Sequence, residues 1–252
     1  LAGLLLAWAG WDRRALKPAL ILGLLSFAGF VTQTIGLSIT SASNAAFITG
    51  LSVILTPLLG RLVWRHALAP RVYAAAVVAL AGLALITLRD GVGAVNGGDL
   101  WVLLTALSYA VYIVYLGEVA GTVRGTSLAF MQHVPMALLA WLWAAPQVGD
   151  LAHVPLTTYL AIVYLALVAT ALVAILQTYA QRVVPAHLAA LVFVLEPAFA
   201  AVFAYLVLGE RLGALGWIGG ALMLVAMVIA QVRWPAQRLD GALTVRQEPP
   251  PR

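Results

Sequence analysis

Cysteine is absent from the chain, and charged residues make up only 9% of it. The first absence excludes disulfides, thiol catalysis and thiolate metal sites at once. The second excludes an ordinary water-soluble fold. Soluble domains carry about 25% charged residues, whereas this chain is 63% hydrophobic with a mean hydropathy of +1.02, and a soluble form would have no polar surface. Enzyme signatures are missing too. The four histidines, His66, His133, His153 and His187, have no zinc spacing, and no metal is expected. Gly91-Val92-Gly93 with Gly97-Gly98 breaks the dinucleotide pattern, and there is no Walker A sequence. No cofactor and no ATP drive from this chain are therefore expected. The basic residues behind the net charge of +5 form no stripe interleaved with aromatics, so no nucleic acid partner is expected.

What the chain does have is long apolar runs. Eight recur, near 18–38, 43–64, 71–88, 99–117, 127–145, 157–180, 187–208 and 213–232, close to the ~20 residues that cross a hydrocarbon core. The alternating strands of a barrel are absent, and helices and closed barrels are the only structures that satisfy every backbone group in lipid. The expected fold class is an all-α polytopic membrane protein with eight full transmembrane helices plus an N-terminal helix stub, embedded in a lipid bilayer.

Charge placement fixes an orientation. If the loop holding Arg13, Arg14 and Lys17 is cytoplasmic, alternate loops are cytoplasmic too, and Arg61, Arg65, Arg71, Arg124, Arg182, Arg233, Arg238, Arg246 and Arg252 fall on the same side. Only Arg89 and Arg211 fall outside. This is the positive-inside pattern. It predicts a multi-pass protein of the plasma (inner) membrane with a cytoplasmic C-terminus.

Shifting the sequence on itself by 144 residues aligns 18–88 with 162–232 without a gap. Gln33-Thr34 falls on Gln177-Thr178, Ala45-Ala46 on Ala189-Ala190, Leu51 on Leu195, Leu62-Val63 on Leu206-Val207, Leu68 on Leu212 and Tyr73 on Trp217. Paired Gln-Thr inside two apolar helices is the costly coincidence, and it marks an internal repeat. Five crossings separate equivalent helices, so the copies are expected in opposite orientations, as in many secondary transporters. The predicted organisation is a first repeat over 1–90, an external linker over 91–98, a second repeat over 99–233 and a disordered cytoplasmic tail over 234–252. Helices 99–117 and 127–145 should have counterparts ahead of residue 18, where only Leu1 to Trp8 can form a stub. The expectation is ten helices as five plus five, with the first repeat truncated at its N-terminus.

The run Leu195-Glu196-Pro197-Ala198-Phe199-Ala200-Ala201, with Ala189-Ala190-Leu191 before it and Leu208-Gly209-Glu210-Arg211 and Trp217-Ile218-Gly219-Gly220 after it, resembles the second-half signature of the EamA family in the drug/metabolite transporter superfamily. Thr40-Ser41-Ala42-Ser43-Asn44-Ala45-Ala46-Phe47-Ile48-Thr49-Gly50-Leu51 resembles its first-half counterpart. The resemblance implies two inverted EamA-type repeats, cytoplasmic termini and export of metabolites such as amino acids or related compounds. The first repeat departs from the pattern. Trp64-Arg65-His66 stands where the second has Leu208-Gly209-Glu210, and Pro57 is one turn from Val53, the residue aligned with Pro197.

Glu196 is the acid placed well inside a span, where an isolated charge costs about 2.5–3.5 kcal/mol on insertion scales. It reads either as a protonatable or amine-binding carboxylate beside a helix opened by Pro197, or as a protonated residue making one interhelical bond. Gln33 and Gln177 are equivalent by repeat and are expected near the pseudo-twofold axis, where transporter sites lie. Their threonine neighbours read as helix glue. Thr105, Ser108, Tyr109 and Tyr112 follow i, i+3, i+4, i+7 spacing and form one polar stripe expected to line a cavity. Gln132 and His133 add candidate substrate contacts, although a hydrogen-bonded structural histidine is the plainer reading. Asn44 reads as a helix N-cap. Gly216 and Gly220 form a small-xxx-small pair for packing, with a homodimer contact as one use.

Two functional classes follow. One is a secondary transporter exporting a small metabolite by alternating access, with proton coupling through Glu196 as an option. The other is a membrane subunit or lipid- or drug-handling protein of the same fold without independent solute transport. An intramembrane enzyme lacks a paired catalytic constellation. Because the chain has no cysteine, single cysteines placed in 66–70 and 150–154 should label from opposite sides of the membrane. Labelling from the same side contradicts the inverted arrangement.

Overall fold

The computed structural model describes residues 12–65, 70–87, 96–146, 155–184, 193, 195–211 and 213–231. The expected N-terminal stub, residues 91–95 of the linker and the tail from 234 lie outside the described residues, as do His66, His153, His187 and Ala189-Ala190-Leu191.

A short 3-10 turn, Arg13–Ala15, leads into α1, Leu16–Leu37. Then follow α2 (Ala42–Gly50), α3 (Ser52–Trp64), α4 (Pro70–Thr87), α5 (Gly97–Val119), α6 (Gly125–Met131) and α7 (His133–Ala144). The last third holds α8 (Leu156–Tyr164), a π-helical stretch Leu165–Leu172, α9 (Val173–Ala180), α10 (Leu195–Leu208) and α11 (Ala214–Gln231). The described residues contain no strand. Five continuous helical stretches are long and apolar enough to cross a membrane: Arg13–Leu37, Ala42–Trp64, Gly97–Val119, Gly125–Ala144 and Leu156–Ala180. Pro70–Leu85, Glu196–Leu208 and Ala214–Ala230 are apolar but shorter. The polytopic helical class is therefore observed, and the expectation of eight full spans is narrowed to five such helices and three shorter ones among the described residues.

Two runs expected as single helices are continuous but carry a local irregularity, Leu51 between α2 and α3 and Gln132 between α6 and α7, each with right-handed helical backbone. Ser41 caps α2, its Oγ accepting from the Asn44 N–H at 3.2 Å. Asn44, expected as the cap, is buried three residues further in, and its Oδ1 has no partner among the described residues. Ser41 displaces it because the cap must have extended backbone, and Ser41 has ψ 153. Pro57 sits inside α3, and Pro197 lies in α10.

The repeat-equivalent helices α3 and α10 end alike. Arg65 (φ 57) and Gly209 (φ 66), equivalent by the 144-residue shift, are the two left-handed residues among those described. Gly209 adopts this backbone freely, whereas an L side chain pays about 1 kcal/mol. The terminator geometry has thus been kept where the glycine was not.

Two helix pairs frame the molecule. α1 packs along α5 through small residues, with Gly29 against the Tyr109 ring and Gly36 against Val102 and the Gly98 carbonyl. Thr32 and Thr105 share a hydroxyl bond of 2.8 Å across this interface. α4 packs along α11, its equivalent by repeat, with Gly82 against the Gly219 carbonyl. Gly216 and Gly220 are buried, and Gly220 abuts the Phe47 ring. That glycine pair is therefore used in packing inside the chain. In contrast, Leu62, Val207 and Leu142 are more than 70% exposed, as expected for faces that meet lipid. On the side assigned as cytoplasmic, Asp12 accepts from the Arg124 N–H at 3.1 Å and the Arg14 N–H at 2.9 Å. These backbone bonds hold its carboxyl below the usual carboxylate range, so the tie is present at neutral pH and lost as pH falls through that lowered value.

A Cβ on Gly82 would lie 2.7 Å from the Gly219 carbonyl oxygen, a backbone atom that cannot swing away. Gly82→Ala should therefore destabilise the protein by about 1–3 kcal/mol, read as a lower unfolding midpoint in detergent. An unchanged midpoint contradicts the α4–α11 packing.

Candidate functional site

A cavity of about 260 Å³ lies among α1, α2, α3, α5, the α6–α7 junction, the π-helical stretch, α9 and α10. Its volume is below the ~300–1,000 Å³ of pockets for drug-sized ligands. Ser26, Phe30 and Gln33 of α1 line it at i, i+4, i+7 spacing, and their repeat equivalents Thr170, Ala174 and Gln177 line it too. The same holds for Thr49 with Phe193, Ser52 with Glu196 and Val53 with Pro197. Equivalent faces of both copies thus surround one space. The chemistry is not equivalent, because the carboxylate of Glu196 is matched only by the hydroxyl of Ser52.

Of the residues singled out from the sequence, the cavity gathers Gln33, Tyr109, Tyr112, Gln132, His133, Gln177 and Glu196. The Tyr109 hydroxyl donates to Gln33 Oε1 at 3.1 Å, and the Tyr112 hydroxyl to Gln132 Oε1 at 3.0 Å. Gln177 Nε2 donates to Gln181 Oε1 at 3.0 Å, and Gln181 Nε2 to the Ile113 carbonyl at 3.1 Å. His133 Nδ1 lies 2.8 Å from the Ala129 carbonyl. A carbonyl only accepts, so Nδ1 carries a proton and Nε2 of the neutral ring is an acceptor. This bond matches the plainer structural reading, while the ring still borders the cavity.

The polar stripe of α5 divides. Tyr109 and Tyr112 face the cavity, but Thr105 is buried against Thr32 and the Gly29 carbonyl in the α1 interface. Ser108 lies off the cavity, its hydroxyl bonded to the Leu104 carbonyl of its own helix at 2.9 Å. Helical spacing spreads such a stripe over more arc than a narrow cavity can occupy. Thr34 and Thr178 each bond the carbonyl four residues back, and Thr178 also accepts from Gln132 at 3.5 Å.

Thr49 was not visible in the sequence as a site residue. It is buried at the cavity, and its Oγ1 has no partner among the described residues. An alignment with Phe193 gave no polar coincidence to draw attention to it. Phe30 and Phe193 were likewise missed as ordinary apolar residues.

Glu196 has no hydrogen-bond partner among the described residues and opens onto the cavity. It lies in α10, about 18 Å from the helix end at Leu208 at 1.5 Å per residue. Against a ~30 Å hydrocarbon core, that depth is far from the Gly209 end.

Glu210 belongs to a different structure. Its carboxylate accepts from the backbone N–H groups of Ala42 (2.9 Å) and Ser43 (3.0 Å) and from the Ser43 hydroxyl (2.7 Å). Anionic oxygen at a helix N-terminus satisfies orphan donors and complements the helix dipole. Gly209 turns the chain after α10, and the Glu210 N–H folds back on the Ala204 carbonyl at 3.2 Å. Nearby, Thr40 donates to Asp99 and Asn96 to the Ile39 carbonyl, both at 2.6 Å. Glu210 thereby clamps the entry of α2.

The profile of the EamA-like transporter family matches residues 1–88 and 96–231. The chain belongs to this family. An uncharacterized transporter of Archaeoglobus fulgidus is 30% identical over 224 residues, 89% of this chain and 70% of that protein. A second uncharacterized transporter of the same organism is 25% identical over 250 residues, 91% of this chain and 83% of that protein. A crystal structure superposes with a TM-score of 0.57 at 17% identity, covering 94% of this chain and 93% of the other, which speaks to the fold alone. The chain is thus a multi-pass membrane protein of a transporter family.

Glu210→Ala should remove charge-assisted bonds worth about 1.5–3 kcal/mol and lower the unfolding midpoint, with Glu210→Gln intermediate. Equal stability of Glu210→Ala and the wild type contradicts the clamp.

Proposed function

We propose that this EamA-like protein is a secondary transporter that exports a small metabolite through the cavity by alternating access. The observation that carries this reading is the convergence of repeat-equivalent residues, Gln33 with Gln177 and Ser52 with Glu196, on one space. A site shared by two inverted copies can be exposed to either side by rocking one against the other, at little cost in contacts. The charge distribution supports the inversion, cytoplasmic termini and a plasma membrane location. In that orientation Gln33 with Tyr109 lies toward the outer end of α1, and Gln177 with Gln181 toward the inner end of α9, so each glutamine bond borders one exit. Small-solute passage is favoured over a purely structural or lipid-handling role because polar groups are gathered inside and apolar groups face out.

Glu196 is the natural coupling residue. An unpaired carboxylate within the bilayer is neutralised by a proton or by a bound cation, and exchange of one for the other ties solute efflux to proton entry. The purified chain in liposomes should move solute without a partner. Glu196→Gln should fold, with an unchanged unfolding midpoint, and lose the pH dependence of efflux. Transport with the same pH profile in wild type and variant removes Glu196 from the coupling.

A further inference from the structure

The substrate class can be read from the charge of the cavity lining. Among the described residues, the cavity borders one carboxylate, Glu196, and no lysine or arginine. A bound anion would therefore meet a carboxylate and no countercharge in a low-dielectric site.

The hydroxyl protons of Tyr109 and Tyr112 are committed to the oxygens of Gln33 and Gln132, and the Nδ1 proton of His133 to a backbone carbonyl. The other polar groups at the space, the Gln33 amide and the Ser26, Thr49, Ser52 and Thr170 hydroxyls among them, are neutral, so Glu196 is the one carboxylate against which a ligand's charge is read among the described lining residues. Phe30 and Phe193 add aromatic rings, which attract a cation through their quadrupoles.

We propose that the cavity selects a small organic cation, a primary or substituted amine on an apolar body, and discriminates against the matching amino acid and carboxylic acid. The ammonium pairs with Glu196, and the apolar body lies against the rings of Phe30 and Phe193. An amino acid carries the same ammonium but brings a carboxylate for which the cavity has no positive partner. This assignment rests on the transport reading and narrows it away from the amino acids that the family resemblance implies.

Phenethylamine, phenylalanine and phenylacetate share one aromatic body and differ in charge, so they isolate the selection. Calorimetric titration of the purified full chain in detergent should show phenethylamine binding at least ten-fold more tightly than phenylalanine, with phenylacetate weaker still. Glu196→Gln should abolish that preference, and Glu196→Asp should keep it, with unfolding midpoints reporting whether each variant is folded. The ranking in the wild type stands independently of both variants. Phenylalanine or phenylacetate binding as tightly as phenethylamine, or no binding by any of the three, overturns the cation assignment. Counterflow of the same compounds in liposomes separates the two claims. Movement of phenylalanine but not phenethylamine leaves transport standing and the cation assignment refuted. Selective binding of phenethylamine without counterflow of any compound leaves the cation site standing and the transport reading refuted.

Discussion

A lipid interior offers no hydrogen bonds, and that constraint organises the whole molecule. Backbone groups are satisfied within helices, and polar side chains are turned onto their own helix, onto a neighbour or into one internal space. Thr34 and Ser108 take the first course, Thr32 with Thr105 the second, and Gln33, Gln132 and Gln177 the third. Helices without a hydrophobic drive to associate rely instead on close approach. Gly29, Gly36 and Gly82 supply it at the two main pairs, where a single Cβ would overlap a ring, a valine or a carbonyl.

The same constraint gives the irregularities their place. A straight helix has no spare polar backbone, and irregular backbone at membrane depth is tolerated where it borders a cavity. The α2–α3 junction contributes Thr49, Gly50, Ser52 and Val53 to the cavity, the α6–α7 junction contributes Gln132 and His133, and the π-helical stretch contributes Ala169 and Thr170. Each break of regularity therefore lies at the site. At the opposite extreme of polarity, Glu210 holds the start of α2 by three short bonds, so the helix that carries Thr49 is fixed at one end.

The helical membrane class, the family and seven of the polar and aromatic cavity residues were legible because their signals are one-dimensional. Apolar length, basic residues at alternate loops and the Gln33/Gln177 coincidence need no knowledge of packing. What was not legible depends on which way a residue faces. Ser108 shares helical spacing with Tyr109 and Tyr112 but lies off the cavity. Thr49 has no polar counterpart in the repeat, and only its buried, unpartnered hydroxyl marks it. Asn44 looked like a cap because Asn favours caps, yet Ser41 three residues earlier has the extended backbone that the role requires.

The central claim is that one cavity, built from equivalent faces of two copies, opens to each side of the membrane in turn. Thr49→Cys tests it most directly, because the chain has no other cysteine and this side chain lies at the cavity. The measurement is labelling of that cysteine by a membrane-impermeant thiol reagent, applied to one side at a time of liposomes with the protein in known orientation. The account predicts labelling from each side, slowed on both by a bound substrate. Labelling from one side alone, or from neither, would contradict it.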